Sequence, residues 1–355
     1  MHVLLVKTSS MGDVIHTLPA ISDAAVMIPG IRFDWVVEEA FAEIPAWHPA
    51  VDKVIPVALR RWRKQPLRTW REGHWARFTS DLRAHDHDLV IDAQGLLKSA
   101  LITRYSDAPV HGLDKRSARE PLASRFYQRR HAVPRGQHAV ERVRQLFAAA
   151  LGYELPAQPV GYGLDRSRLT CHAVDPAHLV FLHGTTWATK HWPEIYWREL
   201  AQRATQQGFR VSLPWGDDAE YQRALRISAG LSGVEVLPRL DLHGLAAELA
   251  GAGGCVAVDT GLGHLAAALD VPTVSLFGPT DAGLTGAWGA GQLHLKSDFA
   301  CSPCLSRRCH YRPDADERER FDLQQEQPLC FTRLAPERVW QSLLEHLRQE
   351  QDSGR

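Results

Sequence analysis

The sequence predicts an α/β protein built from two doubly wound domains, and three observations predict it. Short continuous apolar runs, such as Val3-Leu4-Leu5-Val6 and Leu179-Val180-Phe181-Leu182, have the pattern of strands buried on both faces. Helical stretches alternate with these runs, as in a parallel sheet covered by helices. The alternation restarts after about residue 160, and 355 residues are enough for two domains.

The first strand is Val3–Val6, followed by the polar turn Ser9-Ser10-Met11-Gly12-Asp13. Val14 to Met27 reads as one amphipathic helix ended by Pro29-Gly30. Phe33–Val37, Val54–Val57 and Leu89–Asp92 read as further strands. The second half offers strands at Leu179–His183, Val211–Pro214, Val234–Leu237, Cys255–Asp259 and Thr273–Phe277, with a helix from about Glu194 to Gln207. A last helix starts at Pro336, with Val339, Leu343, Leu344 and Leu347 as its apolar stripe. Domains are expected at 1–160 and 161–335, with the 336–355 helix placed as packing back on the first domain.

Hydrophobic residues make up 45% and charged residues 23%, which excludes a disordered chain, a collagen and a coiled-coil rod. Lys plus Arg and Asp plus Glu both total 41, so the net charge is zero. The sum hides a split: residues 1–150 carry 22 basic and 16 acidic side chains. The two halves are expected to meet different partners. Six cysteines are too few for a disulfide scaffold. No apolar run reaches the roughly 18 residues that span a bilayer, and the start of the chain lacks a secretory signal. A cytoplasmic protein is expected, with any membrane contact peripheral.

Ligands of open α/β sheets sit beyond the carboxyl ends of the strands. Five polar clusters lie there or nearby. In Lys7-Thr8-Ser9-Ser10-Met11-Gly12-Asp13, Gly12 suits a tight turn, and Asp13 reads either as a helix N-cap or as a carboxylate placed to take a proton. In Asp259-Thr260-Gly261-Leu262-Gly263-His264, Thr260 suits an N-cap, and the loop is either plain capping or an anion site at a helix start. Thr185, Thr186 and Lys190 lie on a βα loop that is either merely solvated or able to hold a diphosphate. Basic runs at Arg60–Lys64 and between Lys115 and Arg144 read as solvated faces or as an anionic-acceptor surface. Cys301, Cys304, Cys309 and Cys330 have enough thiols for zinc but no common zinc spacing, so reduced thiols and no metal are expected.

Several segments together resemble the lipopolysaccharide heptosyltransferase I family of glycosyltransferase family nine. They are Val6–Val14, Phe33–Glu39, Arg60–Lys64, Asp92-Ala93-Gln94-Gly95-Leu96, Arg119–Ser124, Lys190-His191-Trp192-Pro193, Asp259–His264 and Phe277-Gly278-Pro279-Thr280-Asp281. The resemblance implies the GT-B fold, two Rossmann-like domains facing a central cleft. It implies an inverting transfer of heptose from ADP-heptose to the Kdo of Kdo-lipid A, at the cytoplasmic face of the inner membrane. Asp13 would be the general base. Thr185, Thr186 and Lys190 would hold the diphosphate, Glu220 the ribose, and Leu240 the adenine. Asp259, Thr260, Gly261 and His264 would meet the heptose and phosphates. Lys7, Ser10, Gly12, Arg60, Arg63, Lys64, Arg119, His138 and Arg142 would face the acceptor.

The residues suit that chemistry. A diphosphate leaves as a stable anion, so one carboxylate base suffices, and Lys190 with a helix amino terminus can stabilise the leaving charge without a metal or other cofactor. The alternatives are a transferase adding a later sugar, a protein binding RNA through the basic face, and a nicotinamide enzyme. Nucleic acid is not the expected partner, because no nucleic-acid module is recognisable. The nicotinamide reading is disfavoured, because no G-x-G-x-x-G follows a predicted strand.

Overall fold

The computed structural model describes residues 1–169, 173–321 and 328–352. The chain divides into two compact units, Met1–Asp165 and Arg166–Arg355.

The first unit holds β1 (His2–Val6), β2 (Arg32–Glu38), β3 (Val51–Val57), β4 (Leu89–Asp92), β5 (Val110–Leu113) and β6 (Arg129–His131). They form one parallel sheet in the order β3-β2-β1-β4-β5-β6. Val3, Leu4, Leu5 and Val6 are fully buried, as a strand covered on both faces requires. The region read as one helix at 14–27 is two, Met11–Ile15 and Leu18–Met27. Pro19 explains the break: it lacks an N–H and is tolerated in a first helical turn, where it lies here, but not inside a continuous helix.

The second unit holds β7 (Asp175–Leu182), β8 (Arg210–Leu213), β9 (Val234–Val236), β10 (Ala252–Val258), β11 (Thr273–Phe277) and β12 (Gln292–Lys296). Its parallel sheet runs β12-β11-β10-β7-β8-β9, which is the strand order of the first sheet repeated. In each unit the order reverses at one place, between β1 and β4 and between β7 and β10. Such a switch point leaves a crevice beyond the strands' carboxyl ends.

The last helix, Pro336–Asp352, packs into the second unit. Its Val339, Trp340, Leu343 and Leu347 lie in the second unit's core with Leu179, Trp197 and Val256. Gly254 of β10 makes this approach possible: a Cβ there would lie 2.8 Å from Leu347 Cδ2. The boundary falls after Asp165, a few residues beyond the expected one. Among the described residues, no helix is long and apolar enough to cross a membrane.

Candidate active site

In the first unit the loops after β1 and β4 meet at the switch point. Gln94 joins them. Its Oε1 accepts from Thr8 N at 2.9 Å and Ser9 N at 3.1 Å, and its Nε2 donates to Ser9 O at 2.8 Å. Buried Asp92 anchors the second loop by accepting from the Gln94 and Gly95 amides, Ser99 Oγ and Tyr127 Oη. Lys7 is buried at 6% exposure and donates to Ala93 O at 3.0 Å.

Asp13 stands on this frame. It is not an N-cap: Ser10 is, and Asp13 is the third helical residue of a capping box. Ser10 N and Oγ both donate to Asp13 Oδ2, at 2.8 and 2.9 Å. Oδ1 makes the ion pair with Lys7 Nζ at 3.8 Å, and the side chain stays 37% exposed. Burial pushes the carboxyl's pKa up, but the Lys7 charge, the two Ser10 hydrogen bonds and Arg119 outweigh it and hold it below the usual value. Asp13 is therefore an ionised, partly accessible carboxylate at neutral pH. Gly12 does not make the turn; it lies inside the helix without a positive φ.

The basic residues separate into ligand-ready and structural ones. Arg60 and Arg63 line a cavity of about 570 Å³ with Glu38, Trp62, Trp75 and Lys98. Lys64 borders a shallower hollow with Arg60 and Arg61. Arg61 is paired with Glu39 at 2.9 Å. Arg142 donates to Pro134 O and Ser117 O, and His138 caps its own helix through Nδ1. Arg144 is buried against Asp23 at 2.6 Å, so it serves the core. Glu38 and Lys98 join this site without a motif to assign them a role. Glu38 is 4% exposed, with its pKa raised by burial against the pull of Arg60 and Lys98. Its place at the carboxyl end of β2 was the signal that could have found it.

In the second unit the loops after β7 and β10 meet in the same way. Thr185 Oγ1 donates to Asp259 O at 3.2 Å, and Lys190 Nζ pairs with Asp259 Oδ2 at 2.7 Å. Lys190 also lies 4.4 Å from the Trp187 ring. Thr260 caps the helix Gly261–Ala268 by backbone alone, because its side chain makes no capping hydrogen bond. The helix start is thus open to an anion. His264 Nε2 lies 4.0 Å from Asp259 Oδ1. Glu220 Oε2 accepts from Gly216 N at 2.7 Å, and its carboxylate fills the space a Cβ on Gly184 would need. Thr186 is exposed beside these groups, and Leu240 is half-buried against Gly244. His191, beside Lys190, is pushed down to about 4 by burial and by Arg223, whose guanidinium donates to its Nδ1 at 2.7 Å. The four cysteines Cys301, Cys304, Cys309 and Cys330 line one small hollow beside Thr189. A cavity of about 880 Å³ lies at the amino-terminal ends of β10–β12, away from these loops.

Two Rossmann-like units with polar switch-point loops, one bearing an ionised carboxylate and one an anion-ready helix start beside a lysine, have the parts of the GT-B fold class. The profile of glycosyltransferase family 9 (heptosyltransferase) matches residues 75–314. The chain belongs to that family. It is 66% identical to lipopolysaccharide heptosyltransferase 1 of Pseudomonas aeruginosa over 96% of both chains. The Escherichia coli heptosyltransferase WaaC solved with ADP superposes with a TM-score of 0.85 at 46% identity, over 98% of this chain and 100% of that one. The same enzyme with ADP-2-deoxy-2-fluoro heptose gives a TM-score of 0.80 at 44% identity, over 97% and 99%. The expected family resemblance and fold are borne out.

Proposed function

We propose that this heptosyltransferase moves heptose from ADP-heptose to the Kdo of Kdo-lipid A, in lipopolysaccharide inner-core synthesis, with inversion at the anomeric carbon. The relatives, known as lipopolysaccharide heptosyltransferases, and their complexes with ADP and an ADP-heptose analogue support this donor and pathway. One observation carries the mechanism: Asp13 is held ionised beside Lys7 and keeps Oδ1 clear of the Ser10 hydrogen bonds.

In this reading a Kdo hydroxyl oxygen attacks the anomeric carbon from the face opposite the leaving group. Its proton passes to Asp13 Oδ1. The bond from the anomeric carbon to the β-phosphate oxygen breaks, and ADP leaves with the electron pair. Lys190 and the first turn of Gly261–Ala268 stabilise that charge, so the scheme uses no metal. Thr185 and Thr186 steady the diphosphate, Glu220 takes the ribose, Leu240 lines the adenine site, and Asp259 and His264 meet the sugar. Arg60, Arg63, Lys64 and Arg119 receive the anionic acceptor. Leu67 and Trp70, 79% and 78% exposed, stand beside Arg68 and Arg71. An apolar and aromatic tip among cations suits peripheral contact with an anionic membrane at its cytoplasmic face.

The test is transfer from ADP-heptose to purified Kdo-lipid A, read by product mass and anomeric configuration. A product one heptose heavier with inverted configuration supports the reading. No product with this acceptor, or retention of configuration, overturns it.

A further inference from the structure

We propose that His2, Asp34 and His85 form a binding site for one zinc-class divalent metal ion at the amino-terminal end of the first unit's sheet. Asp34, third residue of β2, is the hub, and its side chain is fully buried. His2 Nε2 lies 2.9 Å from Oδ1, and His85 Nδ1 lies 2.7 Å from Oδ2. One ligand atom from each of the three residues lies within 4.8 Å of the other two.

Three features point to a cation. First, a buried carboxylate demands a compensating charge, and the ion-pair partners of Asp34 among the described residues are three histidines, with no lysine or arginine. Second, two imidazoles and one carboxylate are the three-ligand set of an open zinc site, with a fourth position left for water; this donor set favours zinc-like ions over magnesium or calcium. Third, the outer support is in place. His87 Nε2 holds Asp34 Oδ2 at 3.0 Å from a side chain only 2% exposed, as outer partners of metal-binding carboxylates do. His2 and His85, 25% and 44% exposed, are open enough to reorient. Ligands about 2 Å from a shared ion lie roughly 3.3 Å apart, so each histidine nitrogen draws back about half an ångström from Asp34 to admit the ion, a side-chain adjustment.

The position defines the role. His2 opens β1, Asp34 lies in β2, and His85 precedes β4, whose approach is already tied to His2 through Asp88. An ion there clasps the beginnings of three neighbouring strands. It lies at the end of the sheet opposite Asp13 and Lys7, so it stabilises the unit and takes no part in transfer.

The experiment uses the full chain without a histidine tag, stripped of metal and titrated with Co²⁺ at neutral pH. The expected result is one Co²⁺ per chain at micromolar concentration, with the visible bands of nitrogen and oxygen ligation and no near-ultraviolet thiolate band. Zn²⁺ should displace it and raise the melting temperature. Both effects should vanish in His85→Ala and in His2→Gln while transfer activity is retained, and both should survive Cys301→Ser/Cys304→Ser. Absence of saturable binding, binding that persists in both histidine variants, or ligation by thiolates alone would overturn the proposal.

Discussion

Lys190 and Asp259 close an ion pair at 2.7 Å between loops that follow two adjacent strands, β7 and β10. Both side chains are largely buried, at 14% and 6% exposure. The ammonium that would meet a diphosphate is therefore already neutralised and held in place at the carboxyl ends of the sheet's two central strands. An incoming diphosphate must share it or draw it away.

Lys190→Ala should therefore weaken the nucleotide sugar. A hydrogen bond to a charged group contributes about 1.5–3 kcal/mol, so KM for ADP-heptose should rise roughly tenfold to a hundredfold. KM for the acceptor should move far less. Steady-state kinetics with each substrate varied will check this, and an acceptor-only defect would contradict the placement of Lys190. The variant also leaves Asp259 without its cation, so Lys190→Ala/Asp259→Asn should recover melting temperature but not donor affinity.

Asp13→Asn should lower kcat by about two to four orders of magnitude, the usual contribution of a positioned general base. Binding of ADP-heptose, measured by calorimetry, should stay close to that of the unaltered chain. Equal loss of binding and turnover would reduce Asp13 to a helix-capping residue.

The pH dependence follows from the direction of the Asp13 shift. Its carboxyl lies below the ordinary value of 3.8, so the ionised base persists as pH falls from neutrality. The acid limb of kcat should appear only once pH reaches that lowered value. Lys7→Met removes the leading downward influence and leaves burial less opposed, so the limb should move to higher pH. An unmoved limb would separate the two residues.

Chelation by EDTA should leave the transfer rate intact at temperatures well below melting. A rate lost on chelation and restored by metal would overturn the metal-free scheme.

Trp340→Ala should destabilise the second unit by about 3–5 kcal/mol, the cost of emptying a core aromatic site. Trp340 is 1% exposed and packs edge-on against Phe209 at 5.5 Å. Thermal or urea unfolding will measure the loss. A shift confined to the first unit would contradict the observed packing.

The sequence revealed the central strands because their apolar runs are unbroken, as in Val3–Val6. It concealed β5 because that strand is only Val110-His111-Gly112-Leu113, with two residues of low strand character. Gly112 is there for packing: a Cβ would lie 2.5 Å from the Tyr127 ring. β6, Arg129–His131, looked like charge alone. Asp13, Lys190 and Asp259 stood out because they end strands or open helices. The Ser10 capping box did not, since it depends on which of two adjacent serines takes the cap. Nor did charge counting separate Arg144, sealed against Asp23, from Arg60 on its cavity. That distinction comes from burial, which neighbours far along the chain impose.

Among the described residues, a hydrophobic cluster of the first unit, from Leu4 to Tyr127, and one of the second, from Leu179 to Leu347, share no side chain, and the passage from Asp165 to Arg166 divides neither. Each half thus carries its own hydrophobic core beneath its own switch-point loops. A core substitution in one half leaves the packing of the other half's core untouched. Chimaeras joined at that passage with halves from other members of the family would test which half sets which substrate preference.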